Sequence, residues 1–123
     1  MAETRVFLYR EKDGSIPLVS WLDDLPTKIR AKCIVRVQRL AEMGHELRRP
    51  EADFLRDGIY ELRASYQGMN YRILYFFSGQ AAVVLSHGLI KKQEVPFKEI
   101  DRAIERKKRV ESSFDQYTIR AGF

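Results

Sequence analysis

The stretch from Gly58 to Lys92, GIYELRASYQGMNYRILYFFSGQAAVVLSHGLIKK, constrains the fold most, because it alternates with a period of two while its flanks read as helix. In Ile59–Ala64, Tyr60, Leu62 and Ala64 fall on one side, and Ile59, Glu61 and Arg63 on the other. In Met69–Phe77, Tyr71, Ile73, Tyr75 and Phe77 oppose Arg72, Leu74 and Phe76. Ala81–Leu89 is apolar on both sides until Ser86 and His87. Strand side chains point alternately to the two faces of a sheet, so these are three strands with one helix-covered face and one partly polar face. Their content of Tyr, Phe, Ile and Val supports strand over helix.

Ser78-Gly79-Gln80-Ala81 reads as a tight hairpin, with Gly79 supplying the positive φ of a type II′ turn. With Gly79 and Gln80 as a two-residue loop, Ser78 faces Ala81, Phe76 faces Val83, Leu74 faces Leu85 and Arg72 faces His87. Opposed residues share a face. The expectation is a row, Arg63–Arg72–His87, across three neighbouring strands. Two guanidiniums and an imidazole suit a phosphodiester: the first bind its oxygens and the last moves protons. The same residues also suit an open, solvated sheet face with Arg63 and Arg72 paired to Glu61, a kind of contact that contributes little.

The chain has 123 residues, 45% hydrophobic and 32% charged, which fits one domain with one modest core. A single domain of residues 1–110 with a C-terminal tail, 111–123, of open role is expected. Twenty-two Lys and Arg against 17 Asp and Glu give a net charge of +5, compatible with an anionic partner. The single cysteine, Cys33, excludes an internal disulfide and suits a reducing cytoplasm. No signal peptide is apparent, and the apolar runs are too short to cross a bilayer, so a cytoplasmic protein without membrane partners is expected.

Before the strands, Arg5–Tyr9 reads as a short strand. Ser15 is a candidate N-cap for a short helix through Leu25, with Trp21 as a core anchor. Pro26 breaks that helix. A second, about Lys28 to Met43, places Ile29, Cys33, Val37 and Leu40 inward and ends at Gly44. Leu47–Asp57 reads as a polar connector. Beyond the strands, Pro96 opens a third helix with Phe97, Ile100 and Ile104 as its inward stripe. Its basic end, with Arg106, Lys107, Lys108 and Arg109, suits either phosphate binding or the negative end of the helix dipole.

The order strand, helix, helix, three strands, helix predicts an α+β fold with helices packed on one face of a small sheet. The runs L-R-D-G-I-Y-E-L-R, Y-R-I-L-Y-F, V-V-L-S-H-G-L-I-K-K and P-x-x-E-I-x-x-A, in that order after two helices, resemble the phage-derived branch of RelE/HigB-type toxins. The resemblance covers Arg5 to about Arg109. It implies a curved, mainly antiparallel sheet with two N-terminal helices on one face and a C-terminal helix. The other face would be a basic, concave mRNA site. The implied function is the toxin half of a type II toxin–antitoxin module that cleaves mRNA in the ribosomal A site. The implied partners are that mRNA and a cognate antitoxin, often of helix-turn-helix type.

The resemblance places Arg72 at a phosphate-contacting position and Arg63 at a basic position of the preceding strand. Lys91 and Lys92 fall at a basic pair after the last strand, and Lys91, Lys92, Arg106 and Lys107 are the expected flanking RNA contacts. His87 is typical of the phage-derived branch. Glu61 departs from RelE, which is basic there, and Pro96-Phe97 occupy the region of the RelE catalytic tyrosine. RNA is cut by attack of its own 2′-OH on the adjacent phosphorus. Arg63 and Arg72 are therefore expected to stabilise charge, and His87 to act as acid or base. No metal-ligand spacing is visible, so neither metal nor cofactor is expected. Two alternatives stay open: a ParE-like inhibitor of DNA gyrase, and an inactive homologue that only binds antitoxin or nucleic acid.

Overall fold

The structure, a computed structural model, describes residues 3–123. It is an α+β fold built on a six-stranded, mainly antiparallel sheet. The strands are β1 (Arg5–Tyr9), β2 (Ala52–Arg56), β3 (Ile59–Tyr66), β4 (Met69–Ser78), β5 (Ala82–Ile90) and β6 (Thr118–Arg120), in the spatial order β2-β3-β4-β5-β1-β6. Among the described residues only β1 and β5 run parallel. The helices are α1 (Pro17–Asp23), α2 (Thr27–Met43), α3 (Phe97–Ser112) and the single turn α4 (Phe114–Tyr117). Among the described residues no helix is long and apolar enough to cross a membrane.

The period-two pattern sorts the strands between two cores. Leu62, Ala64, Ile73 and Tyr75 join Leu18 and Leu22 of α1 and Ile29, Cys33, Val37 and Leu40 of α2. Ile59, Leu74, Phe76 and Val84 join Ile100, Ala103 and Val110 of α3. So α3 covers the face opposite α1 and α2, rather than sharing theirs. Burial of Ile100 and Val110 alone stabilises that arrangement by about 1.5–3 kcal/mol each. Phe97 departs from the expected inward stripe: it is 75% exposed, because the first turn of α3 overhangs the sheet's polar corner.

Three local points depart from the expectations or, for the tail, settle what they left open. The connector after α2 contains the edge strand β2, paired antiparallel to β3. Its mixture of Asp53, Phe54, Leu55 and Arg56 hides the pattern because an edge strand meets solvent on one side. Ser15 caps nothing; Ile16 occupies the N-cap of α1, and the Ser15 N–H donates to Asp13 instead. The tail after α3 folds back, with β6 pairing antiparallel to β1.

The β4–β5 register is a further correction. The turn is Gly79-Gln80-Ala81, so Ser78 pairs with Ala82 and Phe76 with Val84. Gly79 does adopt a positive φ, +69°. One extra turn residue alone would send His87 to the opposite face. A β-bulge between Leu74 and Tyr75 then adds a second residue on β5, and the parity is restored. His87 consequently shares the α3 face with Arg72, but it faces Leu74, while Arg72 faces Leu89. Past the bulge, Gly88 lies under Trp21; a Cβ there would meet the indole ring at 2.2 Å. Only glycine lets the anchor Trp21 seat against β5.

Candidate functional site

The α3 face carries two polar clusters. The first forms where β2, β3 and β4 lie side by side. Arg63 and Arg72 are direct cross-strand partners, as the alternation requires. Glu61, one residue pair away on the same face, is 1% exposed. Its carboxylate accepts from Arg72 Nη1 at 3.1 and 3.0 Å, and from Arg63 Nε through Oε1. Asp53 on β2 extends the chain of charge: its Oδ2 lies 3.5 Å from Arg63 Nη2 and 2.9 Å from Arg49 Nη2. Those contacts hold the Asp53 carboxyl below its ordinary range, first through Arg49.

Three guanidiniums thus meet two carboxylates, which leaves an excess of one positive charge. The departure at Glu61 has a structural meaning: the acid is the hub that holds Arg63 and Arg72 in place. A carboxylate so buried is tolerable only because both sides are paired. Arg72, 6% exposed, uses only Nη1 on Glu61, and its buried Nε has no partner. Nε and Nη2 form the side-on edge of the guanidinium, which matches two oxygens of a phosphate or carboxylate. The residue lines a cleft of about 330 Å³ with Arg49, Asp53, Arg63, Glu94 and the exposed Phe97. Nε is both unpartnered and shut off from solvent, so it is as a lining residue, beside Arg49 and Arg63, that Arg72 makes the cleft chemically suited to an anion.

The second cluster surrounds His87 and is closed. His87 is 6% exposed and Ser86 is fully buried. Ser86 Oγ lies 2.8 Å from His87 Nδ1, and His87 Nε2 lies 3.2 Å from Glu99 Oε1 on α3. Arg106 Nη1 donates to Ser86 Oγ at 3.3 Å. With a neutral imidazole one assignment satisfies every contact: Arg106 donates to Ser86, Ser86 to Nδ1, and Nε2–H to the carboxylate. Burial first, then the charge of Arg106, lowers the His87 pKa from 6.5 to about 4. His87 is therefore neutral at physiological pH, with both nitrogens committed. A buried serine, histidine and glutamate in line invite comparison with a nucleophilic triad, but a serine without access to solvent attacks nothing.

The expected row is thus split. Arg63 and Arg72 come together; His87 belongs to a separate network beneath α3. Arg106, expected to contact RNA, turns inward over Tyr9, its guanidinium 5.0 Å from the ring centroid. Lys107 bonds the Asp57 carbonyl at 3.3 Å. Lys91 and Lys92 are exposed at the end of β5, tied to Asn70 only through backbone atoms. On α2, Arg36 and Arg39 pair with Glu51, a salt-bridged helix surface. Glu61 pairs with Arg63 and Arg72 as the solvated reading of that face supposes, but it does so buried rather than in solvent. Asp53 and Glu99 are site residues that the sequence reading does not single out.

The family described as phage derived protein Gp49-like (DUF891) covers residues 20–108. That span runs from α1 to α3 and includes both polar clusters. No curated protein matches the chain.

Proposed function

As the chain belongs to the phage-derived Gp49-like family, we propose that it is the toxin half of a toxin–antitoxin module and cleaves mRNA on the ribosome. Membership supports a toxin-like protein of the RelE/ParE type. The observation that carries the finer statement is the pairing of Arg63 and Arg72 around Glu61, with both arginines lining the cleft.

In-line attack of a 2′-OH on phosphorus forms a 2′,3′-cyclic phosphate and breaks the P–O5′ bond; solvent water takes the 2′ proton and returns one to the leaving 5′-oxygen, while negative charge builds on the non-bridging oxygens. The Arg72 guanidinium meets that charge from the cleft wall, and Arg63 adds its charge beside it. Glu61 is a positioning residue: it fixes both guanidiniums before substrate arrives, so no reorganisation is needed in the transition state. His87 takes no proton in this scheme; it holds β5 to α3. Lys91 and Lys92 attract the flanking backbone from the exposed end of β5.

The partner is an antitoxin, of helix-turn-helix type by resemblance, whose acidic segment answers the arginines of the cleft. Induced expression with mapping of mRNA 5′ ends tests the activity. Translation arrest with new ends inside translated codons is expected, and both should disappear in Arg72→Ala. Intact mRNA with DNA damage would instead identify a gyrase inhibitor. The closed state of His87 favours a second reading, binding without cleavage; normal growth with abundant folded protein would establish it.

A further inference from the structure

We infer that Phe97 is a stacking platform for a nucleobase, so that the cleft takes a single-stranded nucleotide with its base on Phe97 and its phosphate on Arg72. The inference deepens the proposal above and rests on it. Phe97 is the most exposed of the large hydrophobic residues, at 75%, yet it stands on the first turn of a sixteen-residue helix whose other apolar residues are packed inward. A free surface phenylalanine contributes nothing to the core. It lines the same cleft as Arg63 and Arg72.

The surroundings suit an aromatic anion. The Arg56 guanidinium lies 5.7 Å from the Phe97 ring centroid. It is held there by Asp57 and Asp101, the first at 2.9 Å. That cation lies over one face of the ring, and a base would stack on the other. The guanidinium of Arg72, which lines the same cleft, supplies the phosphate contact. Every base has a π-face, so this contact selects single strands over duplexes without choosing a sequence.

The test uses a short single-stranded RNA carrying one 2-aminopurine, titrated against the purified full chain and its Phe97→Leu, Phe97→Trp and Arg72→Lys variants. Stacking quenches 2-aminopurine. Wild type should bind with quenching. Phe97→Leu should bind roughly 5- to 150-fold more weakly with the quenching lost and the salt slope unchanged. Phe97→Trp should restore both. Arg72→Lys should weaken binding while the residual complex still quenches. An abasic site at the probe position should make wild type and Phe97→Leu bind alike. Equal affinity and quenching in Phe97→Leu would overturn the platform while leaving the RNA reading intact. Absence of RNA binding by wild type would overturn both.

Discussion

The two polar clusters on the α3 face use the same kinds of side chain and reach opposite ends. Around Glu61, two arginines share one acid and both line an open cleft. Around His87, each imidazole nitrogen has one partner, and Ser86 is fully buried. An unpartnered nitrogen does not separate the two, since Arg72 and Arg106 each have a buried Nε without a partner. The difference teaches that a row of polar residues on a strand becomes a candidate site only where it borders open space. On the proposed reading the histidine cluster is structural and the arginine cluster receives the ligand.

The comparison is most severely tested at Arg72. Arg72→Ala leaves the buried Glu61 with Arg63 alone, and stability should fall by about 3 kcal/mol, the low end for breaking a buried pair. The urea midpoint measures this. The double variant Glu61→Leu/Arg72→Met should regain most of the loss without regaining nucleic-acid binding. Wild-type stability in Arg72→Ala would mean that the Glu61 network is solvated and not the buried hub described.

His87 is next. Its folded pKa, about 4, lies below the ordinary 6.5, so the unfolded chain holds the proton more tightly. Its contribution to stability is whole above about pH 6.5 and declines as pH falls toward 4, by up to about 3 kcal/mol in total. His87→Gln should flatten the curve in that window relative to wild type. Identical curves would place His87 in solvent and return it to the list of accessible acids.

Gly88 probes the bulge that separates the clusters. Gly88→Ala should cost about 1–3 kcal/mol by overpacking against Trp21 and should shift the indole emission. With Trp21→Leu in the background, the same change should cost less. The smallest effect belongs to the exposed lysines. Lys91→Ala and Lys92→Ala should leave stability within about 0.5 kcal/mol and lower the salt slope of RNA binding by about one each. An unchanged slope would remove them from the interface.

Much of this was legible in the residues. The alternation placed Glu61, Arg63 and Arg72 on one face and Leu62, Ile73 and Tyr75 on the other, and the paired strands preserve that division. The inward stripe of α2 was legible for the same reason. Side-chain direction is set by the backbone repeat, a local property that a sequence carries position by position. Register is different, since one residue more or less reverses every side chain. A longer turn at Gly79 and a bulge at Ser86 each did so, and cancelled in parity though not in position.

What the sequence alone determined is therefore β1, the three central strands and the helices α1 to α3, the face each central-strand residue takes and the clustering of Arg63 with Arg72. What only the tertiary structure decided is which polar residues meet and which are closed off. The seat of Trp21 on Gly88 joins α1 to β5, and Glu99 on α3 closes over His87. The carboxylate of Glu61 finds two guanidiniums, one on its own strand and one on the next. Burial and charge pairing arise between segments distant along the chain. They depend on packing that no local pattern contains.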